Sequence, residues 1–185
     1  MIRRLARIFR PSPPSPSRES PLPASAATET DTAMMRRALD LARRAIELDE
    51  TPIAAVIYHT ESGELLAEAH NRRELDADPT DHAEILALRD AAAKRGDWRL
   101  NDCTLIVTLE PCAMCAGAIV NARVGRLVYA AADPKAGACE SLYTLSQDPR
   151  LNHRVRPIAG LLADESAQLL RDFFQSKRKS RRASN

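Results

Sequence analysis

Apolar residues recur three or four positions apart between residues 34 and 48, which is the spacing of one face of an amphipathic helix. The residues on this predicted face are Met34, Ala38, Leu41, Ala45 and Leu48. Pro52 then ends the helix, because proline removes a backbone donor and clashes with the preceding turn. The apolar run Ile53–Tyr58 that follows predicts a buried strand.

The rest of the pattern predicts strands that alternate with helices. A turn at Glu61–Glu64 leads to a second strand, and a loop at Asp78–Asp81 leads to a helix that Asp81 caps and Gly96 ends. The predicted elements after the first strand are the strand Leu65–Ala69, the helix from His82 to about Arg95, the strand Cys103–Leu109, the short helix from Cys112 to about Ala122, the strands Arg126–Ala131 and 155–159, and the closing helix Asp164–Ser176. This alternation predicts an α/β fold, built as a three-layer sandwich with helices on both faces of a sheet.

The two ends of the chain differ in composition from its centre. Residues 11–30 are rich in Pro, Ser and Ala and cannot form a core, so we expect residues 1–30 to be a disordered basic extension. The predicted domain spans residues 31–176, and a basic tail follows at 177–185. A transit peptide is the alternative interpretation of the Arg-rich start.

Charge is distributed as unevenly as composition. The net charge is +2, yet residues 1–30 hold five Arg against two Glu, and residues 171–185 hold six Lys or Arg against one Asp. The centre is therefore acidic, and we expect a polyanion to bind at an end or at a local patch. No apolar run approaches the roughly 20 residues that span a bilayer, and the start does not resemble an export signal. We therefore expect a cytoplasmic protein with no membrane partner.

Two short motifs carry the chemistry. His82 and Glu84 stand two residues apart at the start of one predicted helix, and Pro111 precedes the pair Cys112-x-x-Cys115 at the start of the next. One imidazole and two thiolates are the three protein ligands that a catalytic zinc takes, which leaves a fourth position for water. Zinc lowers the pKa of such a water to about 7, and Glu84 is close enough to carry its proton without being a ligand. The motifs predict attack of water on the amidine carbon of a nucleobase.

Each motif alone has a plainer interpretation. A Cys-x-x-Cys pair also occurs in redox centres and as half of a structural zinc site, and a lone His-x-Glu carries little information. A closed structural site would need a fourth ligand, and the other two cysteines, Cys103 and Cys139, lie outside any motif. We interpret Cys103 as strand core. Both motifs together, with a strand between them, favour the catalytic site.

The sequence around these motifs resembles the bacterial tRNA-specific adenosine deaminases, a branch of the zinc-dependent cytidine and deoxycytidylate deaminase superfamily. The similarity extends over residues 31–178 and lies in the segments 78–85, 108–118, 133–138, 151–155 and 160–165, followed by Phe173-Phe174. It implies a cytidine-deaminase-like fold with a mixed central sheet of about five strands. It also implies one zinc ion per subunit, a homodimer, and deamination of adenosine to inosine at the wobble position of a tRNA anticodon.

The resemblance also implies roles for individual residues. Asn71 falls where the family binds the flipped nucleoside, although a turn residue that closes the second strand is the alternative. The other implied substrate contacts are Ile53, Ala83, Leu109, Asp133 and Lys135. Two positions depart from the family. Ala54 replaces a usual Gly, where its methyl group would tighten the pocket floor, and Glu140 replaces a small residue, where its charge would face the RNA.

Single-stranded RNA loops are recognised by stacking and base-edge contacts, while basic side chains hold the backbone. The residues that we expect to contact the anticodon arm are Asn152, His153, Arg154, Phe173, Phe174, Lys177 and Arg178. One of the two phenylalanines should lie in the core and the other should be exposed for stacking, because adjacent helix positions point about 100° apart. The alternatives are an exposed turn at 152–154 and a solvated tail after residue 176.

Two other functions remain open from the sequence. A guanine deaminase, or another deaminase of free nucleobases or nucleosides, would use the same zinc core. A non-catalytic zinc subunit that only binds RNA or a partner would need no proton shuttle, and the presence of Glu84 argues against it.

Overall fold

The first helix begins earlier than the sequence pattern predicted. The computed structural model describes residues 26–183, and helix α1 (Glu29–Glu47) starts inside the segment that we expected to be disordered; residues 1–25 lie outside the described part. The cause is a reciprocal cap between Thr28 and Asp31. The Thr28 hydroxyl accepts a hydrogen bond from the Asp31 amide at 3.0 Å, and the Asp31 carboxylate accepts one from the Thr28 amide at 2.7 Å.

The buried face of α1 is turned by one position from the predicted face. The buried apolar residues are Met35, Ala38, Leu39, Ala42 and Ala45. Of the predicted face, Met34 and Leu41 are only half-buried and Leu48 is exposed. Asp31 lies on the buried face and pairs with the Arg126 guanidinium at 2.8 Å, so this ion pair helps set the rotation of the helix.

Five strands in the described chain form one mixed sheet, in the order β2-β1-β3-β4-β5. Their bounds are β1 (Ala54–His59), β2 (Leu65–His70), β3 (Cys103–Leu109), β4 (Arg126–Ala131) and β5 (Pro157–Ala159). β1 pairs antiparallel with β2 and with β3, whereas β3, β4 and β5 run parallel. A single 3-10 turn (Leu145–Gln147) lies between β4 and β5. The predicted mixed sheet of five strands is confirmed.

Helices cover both faces of this sheet. α2 (Ala83–Arg95) and α3 (Ala113–Asn121) pack on one face, and α1 and α4 (Ala163–Ala183) pack on the other. Strand side chains alternate between the two layers, so that Val107 of β3 faces α2 and α3 while its neighbour Ile106 faces α1. The predicted three-layer α/β/α sandwich is confirmed.

The last helix extends well beyond its predicted end at Ser176. α4 includes the basic segment that we expected to be a tail, through Ala183. Neither Gly nor Pro interrupts it, and Lys and Arg are good helix formers. The ammonium of Lys177 lies 2.5 Å from the Asp49 carboxylate and ties this part of the helix to the end of α1. Among residues 26–183, none of the helices combines the length and hydrophobicity that crossing a bilayer requires.

Candidate active site

One end of the sheet collects the residues with candidate chemistry. Ala55 of β1 lies opposite Val107 of β3, so Ile53 and Leu109 come together at the same sheet edge. Asn71 follows directly after β2, and its backbone N–H donates to the Ile53 carbonyl at 2.9 Å. α2 and α3 follow β2 and β3 in the chain, and their amino ends lie at this edge.

His82, Cys112 and Cys115 bring three metal-ligating atoms to one point. Nδ1 of His82 lies 3.7 Å from Sγ of Cys112 and 3.6 Å from Sγ of Cys115, and the three atoms all lie within 4.8 Å of one another. A tetrahedral zinc with ordinary Zn–N and Zn–S bonds separates a nitrogen from a sulfur ligand by about 3.6 Å. The donor set and its spacing therefore fit zinc and leave a fourth position for a small molecule.

Helix starts position these three side chains. His82 is the N-cap residue of α2 and Cys112 is that of α3, while Cys115 lies in the first turn of α3. The exposed N–H groups at such ends favour negative charge on a nearby thiolate. Hydrogen bonds from the Cys115 thiol and from His82 lower the pKa of the Cys112 thiol to about 4, although burial by itself opposes this.

The expected cap of α2 by Asp81 was wrong. His82 takes the extended backbone conformation of the N-cap position, with φ −73° and ψ 149°, which leaves Asp81 one residue before the helix. The Asp81 carboxylate is buried, and its Oδ1 atom finds no hydrogen-bond partner among the described residues. Its nearest cation is the Arg89 guanidinium, 3.7 Å away.

Glu84 lies in the first turn of α2, beside the three candidate ligands but outside their set. Only 4% of the residue is exposed. Burial raises the pKa of its carboxyl above the usual range, which makes the carboxylate a better proton acceptor than an exposed one. This is the position and the environment that a proton shuttle needs.

The predicted substrate residues surround the same sheet edge. Ala83 is buried between His82 and Glu84, and Ile53 and Leu109 are half-buried. Asp133 and Lys135 lie in the loop after β4, where the Asp133 side chain accepts a hydrogen bond from the Lys135 amide at 2.9 Å.

Asn71 is not an exposed turn residue. It is buried, and its Nδ2 atom donates to the Glu50 carboxylate at 2.7 Å. Glu50 is itself fully buried, and the sequence motifs did not indicate it. The available signal was its place in the loop between α1 and β1, immediately before Thr51-Pro52.

Glu110 is a second buried carboxylate that sequence reasoning missed. One of its oxygen atoms accepts the amides of Cys139, Glu140 and Ser141 at 3.1, 2.8 and 2.9 Å, and the other accepts the Asp133 amide at 3.1 Å and the Ser141 hydroxyl. Burial would raise the pKa of this carboxyl, but the five hydrogen bonds hold it below its usual range. Glu110 thereby fastens the loop 133–141 to the turn that carries Cys112.

The two departures from the family have different outcomes. The side chain of Ala54 packs with α1 in the cluster on the far face of the sheet, so the expectation that its methyl group forms the pocket floor was wrong. The alternation along β1 is the reason, since Ala55 instead faces α2 and α3. The Glu140 carboxylate accepts a hydrogen bond from the Tyr129 hydroxyl at 2.7 Å, so its charge is engaged within the domain.

The expected RNA contacts occupy two places. In the loop before β5, Asn152 accepts a hydrogen bond from the Arg123 guanidinium, His153 donates to the Val124 carbonyl at 2.9 Å, and Arg154 is half-buried. On α4, the expected division between the phenylalanines is confirmed, since Phe173 is buried and Phe174 is 46% exposed. Arg178 is exposed, whereas Lys177 is engaged by Asp49.

An apolar groove of about 360 Å³ lies between α2 and α3. Its apolar lining includes Ile85, Leu88, Trp98 and Ala118. Trp98 is half-exposed, and the Arg99 guanidinium lies 4.1 Å from the centroid of its ring.

The fold and the site together define the class of protein. Residues 29–178, almost all of the described chain, match the model of the MafB19-like deaminase family.

Within that class, the chain belongs to the family of the tRNA-specific adenosine deaminases. It is 42% identical over 156 residues to the tRNA-specific adenosine deaminase of Streptococcus pyogenes serotype M18, and the match covers 84% of this chain and 97% of the relative. It is 43% identical over 155 residues to that of Haemophilus influenzae, covering 84% and 89%.

Solved structures agree with this assignment. A tRNA:A34 deaminase structure, from work on A-to-I editing at the wobble position of transfer RNA, has a TM-score of 0.71 and 45% identity over 75% of this chain and 99% of its own. A guanine deaminase from Nitrosomonas europaea has a TM-score of 0.68 but 30% identity, over 83% of this chain and 88% of its own.

Proposed function

We propose that the protein converts adenosine to inosine at the wobble position of a tRNA anticodon, with water consumed and ammonia released. The observation that carries the proposal is the convergence of His82, Cys112 and Cys115 beside a buried Glu84. The identity of 42 to 43% to tRNA-specific adenosine deaminases over most of the domain supports this substrate.

One zinc ion per subunit is the proposed cofactor. His82 and the two cysteines would hold it, in agreement with their 3.6 and 3.7 Å nitrogen-to-sulfur distances. When bound in a site with three protein ligands, zinc supplies Lewis-acid activation of water near neutral pH.

Glu84 moves the proton in this proposal. Its carboxylate takes one proton from the water whose oxygen bonds to C6 of the adenine ring and delivers it to N1. It then moves the second proton of that water from the new C6 hydroxyl to the 6-amino group, and the C6–N bond breaks to release ammonia. Burial raises the pKa of this carboxyl, which strengthens the carboxylate as the base that takes the proton from water. The sum of the steps is adenosine plus water going to inosine plus ammonia.

The flipped base is proposed to bind at the sheet edge. Asn71 binds its polar edge, while Ile53, Ala83 and Leu109 supply apolar and backbone contacts around it. Asp133 and Lys135 lie in the loop that Glu110 fastens next to Cys112, and they meet the flanking nucleotides.

Contacts to the rest of the anticodon arm are proposed at two surfaces. Phe174 and Arg178 on α4 are exposed and suited to base stacking and to phosphate contact, respectively. Asn152, His153 and Arg154 form the second surface. Lys177 is expected to contribute less than Arg178, because its ammonium is paired with Asp49.

We propose that the protein is a homodimer in which a second copy covers the groove between α2 and α3. The apolar lining and the half-exposed Trp98 support this, because burying exposed apolar surface against a second copy would stabilise the dimer relative to the monomer. Trp98→Glu should then yield monomers in analytical ultracentrifugation, whereas Trp98→Phe should remain dimeric.

A cytoplasmic location completes the proposal, supported by four free cysteines.

A direct test is incubation of the zinc-loaded protein with an anticodon stem-loop that has adenosine at the wobble position. A matched stem-loop with guanosine there, free guanine and free adenosine are run in parallel. Inosine formed only in the first RNA is the expected result. Turnover of free guanine alone would overturn the proposal and assign the guanine deaminase activity instead.

A further inference from the structure

We infer that Glu50 is a positioning residue for substrate recognition, because it fixes the orientation of the Asn71 amide and so the hydrogen-bonding groups that the pocket offers. This inference rests on the proposed function, in which Asn71 contacts the base.

Glu50 lies in the loop between α1 and β1 and is fully buried. Its Oε2 atom accepts a hydrogen bond from Nδ2 of Asn71 at 2.7 Å, and its Oε1 atom accepts one from the Leu75 amide at 2.6 Å. A carboxylate loses its hydration on burial, which costs free energy unless N–H donors replace the water. Both oxygen atoms of Glu50 have such a donor, and Asn71 is one of the two.

The chemistry of the pair permits only one orientation of the amide. The side chain of Asn has a donating end and an accepting end of nearly the same size. A carboxylate accepts but does not donate, so turning Asn71 over would place its carbonyl oxygen against another acceptor in a buried position. Glu50 therefore holds Nδ2 toward itself and keeps the carbonyl oxygen away from itself.

The backbone around Asn71 is held as well. The backbone N–H of Asn71 donates to the Ile53 carbonyl at 2.9 Å. Four residues further along the chain, the backbone N–H of Leu75 donates to the Glu50 carboxylate. Purines with an amino group at position 6 differ from those with a carbonyl group in the pattern of donors and acceptors on that edge. A pocket with a fixed amide can discriminate between these patterns, whereas a pocket with a freely turning amide can accept either.

A double-mutant cycle tests the inference. Glu50→Gln keeps the size of the side chain but adds a donor, so Asn71 can turn over. We expect kcat/KM for the wobble-adenosine stem-loop to fall roughly 10- to 100-fold, the range for a hydrogen bond to a charged group. In the Asn71→Ala background the same substitution should have almost no effect, because the group that it positions is gone. Zinc content should be unchanged in all four proteins.

Glu68→Gln is the matched control, since Glu68 is a carboxylate of β2 that is bonded to Arg37 away from the site. If Glu50→Gln lowers kcat/KM as much in the Asn71→Ala background as in the wild type, or no more than Glu68→Gln does, the positioning role is overturned. If Glu50→Gln does not fold, Glu50→Asp, which keeps the charge but withdraws it from Asn71, takes its place in the cycle.

A second measurement does not depend on turnover. In the wild type, the two side-chain amide protons of Asn71 should give separate, slowly exchanging NMR signals, which should exchange faster in Glu50→Gln. If the wild type deaminates no stem-loop, the proposed function fails while these signals still decide the orientation. If it does deaminate the stem-loop and the signals are the same in both proteins, only the positioning role fails.

Discussion

A Cβ atom placed on Gly137 would lie 2.4 Å from the carboxyl carbon of Glu110. The carboxyl group of Glu110 therefore occupies the space that a side chain at position 137 would need. Glycine at this position lets the loop 133–141 approach close enough for its amides to reach the carboxylate. The loop also pairs with the metal site directly, through a short antiparallel bridge between Gly137 and Cys112.

Gly137→Ala should therefore loosen this loop. We expect the free energy of unfolding to fall by about 1–3 kcal/mol, as for other overpacked sites. KM for the stem-loop should rise more than kcat falls, because Asp133 and Lys135 lie in the loop. Urea unfolding and steady-state kinetics measure the two effects. Gly117→Ala is the control, since a Cβ there meets nothing within 4 Å, and an equal loss in both variants would contradict the explanation.

Glu84→Gln should retain zinc and lose turnover. Removing a general acid–base group lowers kcat by roughly 10²- to 10⁴-fold. Metal analysis of the purified variant and single-turnover assays on the stem-loop provide the readouts. Loss of the metal in this variant would show that Glu84 is a ligand, because the amide is a poorer donor to zinc than the carboxylate.

Removal of the metal should expose two thiols and no more. Burial raises the pKa of Cys103 to about 11 and that of Cys139 to about 12, so both remain protonated and unreactive at pH 7.5. After a chelator is added, a disulfide reagent should react with the Cys112 thiolate, whose pKa is lowered to about 4. The neighbouring Cys115 thiol in the same helix start should then displace the mixed disulfide, so that two equivalents are released. Cys103→Ala should give the same count. Four equivalents from a protein with an unchanged circular dichroism spectrum would contradict this assignment.

Asp31→Asn should destabilise the protein in a pH-dependent way. Burial would raise the pKa of Asp31, but hydrogen bonds from Arg126, Thr28 and Tyr58 hold it below its usual 3.8. The stabilisation that the ionised group provides is therefore complete above pH 3.8 and is lost as the pH falls through the lower value of the folded state.

We expect Asp31→Asn to cost about 3 kcal/mol at pH 7, since it leaves a partly buried Arg126 without its counter-charge. The difference from the wild type should shrink below pH 3.8, in urea unfolding at matched pH. Asp40→Asn on the exposed side of α1 should cost less than about 1 kcal/mol at any pH. A constant difference between pH 7 and pH 3 would refute the assignment to Asp31 ionisation.

The sequence predicted the site better than it predicted the surroundings of the site. His82, Glu84, Cys112 and Cys115 follow from spacing alone, because each lies within one turn of a helix start and the local chain sets its direction. Glu50 does not follow from spacing. Glu50 contacts Asn71 only after β1 and β2 have paired, and no local sequence pattern predicts that contact.

The errors in the predicted fold have the same origin. Met34 and Met35 are equally apolar, so the local sequence does not show which of them lies on the buried face of α1. That depends on the ion pair of Asp31 with Arg126, a residue 95 positions away. The methyl group of Ala54 was expected in the pocket, but the register of β1 turns it toward α1. The hydrogen bond from Tyr129 to Glu140 could not be predicted either, because Tyr129 lies on a different element, β4.

The continuous α4 changes the thermodynamics of meeting a polyanion. Arg178, Lys179 and Arg182 are held on a helix that is anchored by Phe173 and by the Lys177–Asp49 pair. A flexible tail would lose conformational freedom each time it bound, whereas this helix has already lost that freedom on folding. In the proposed contact with RNA, attraction to phosphate would then appear mainly as release of counterions, with little of the entropy penalty of coupled folding.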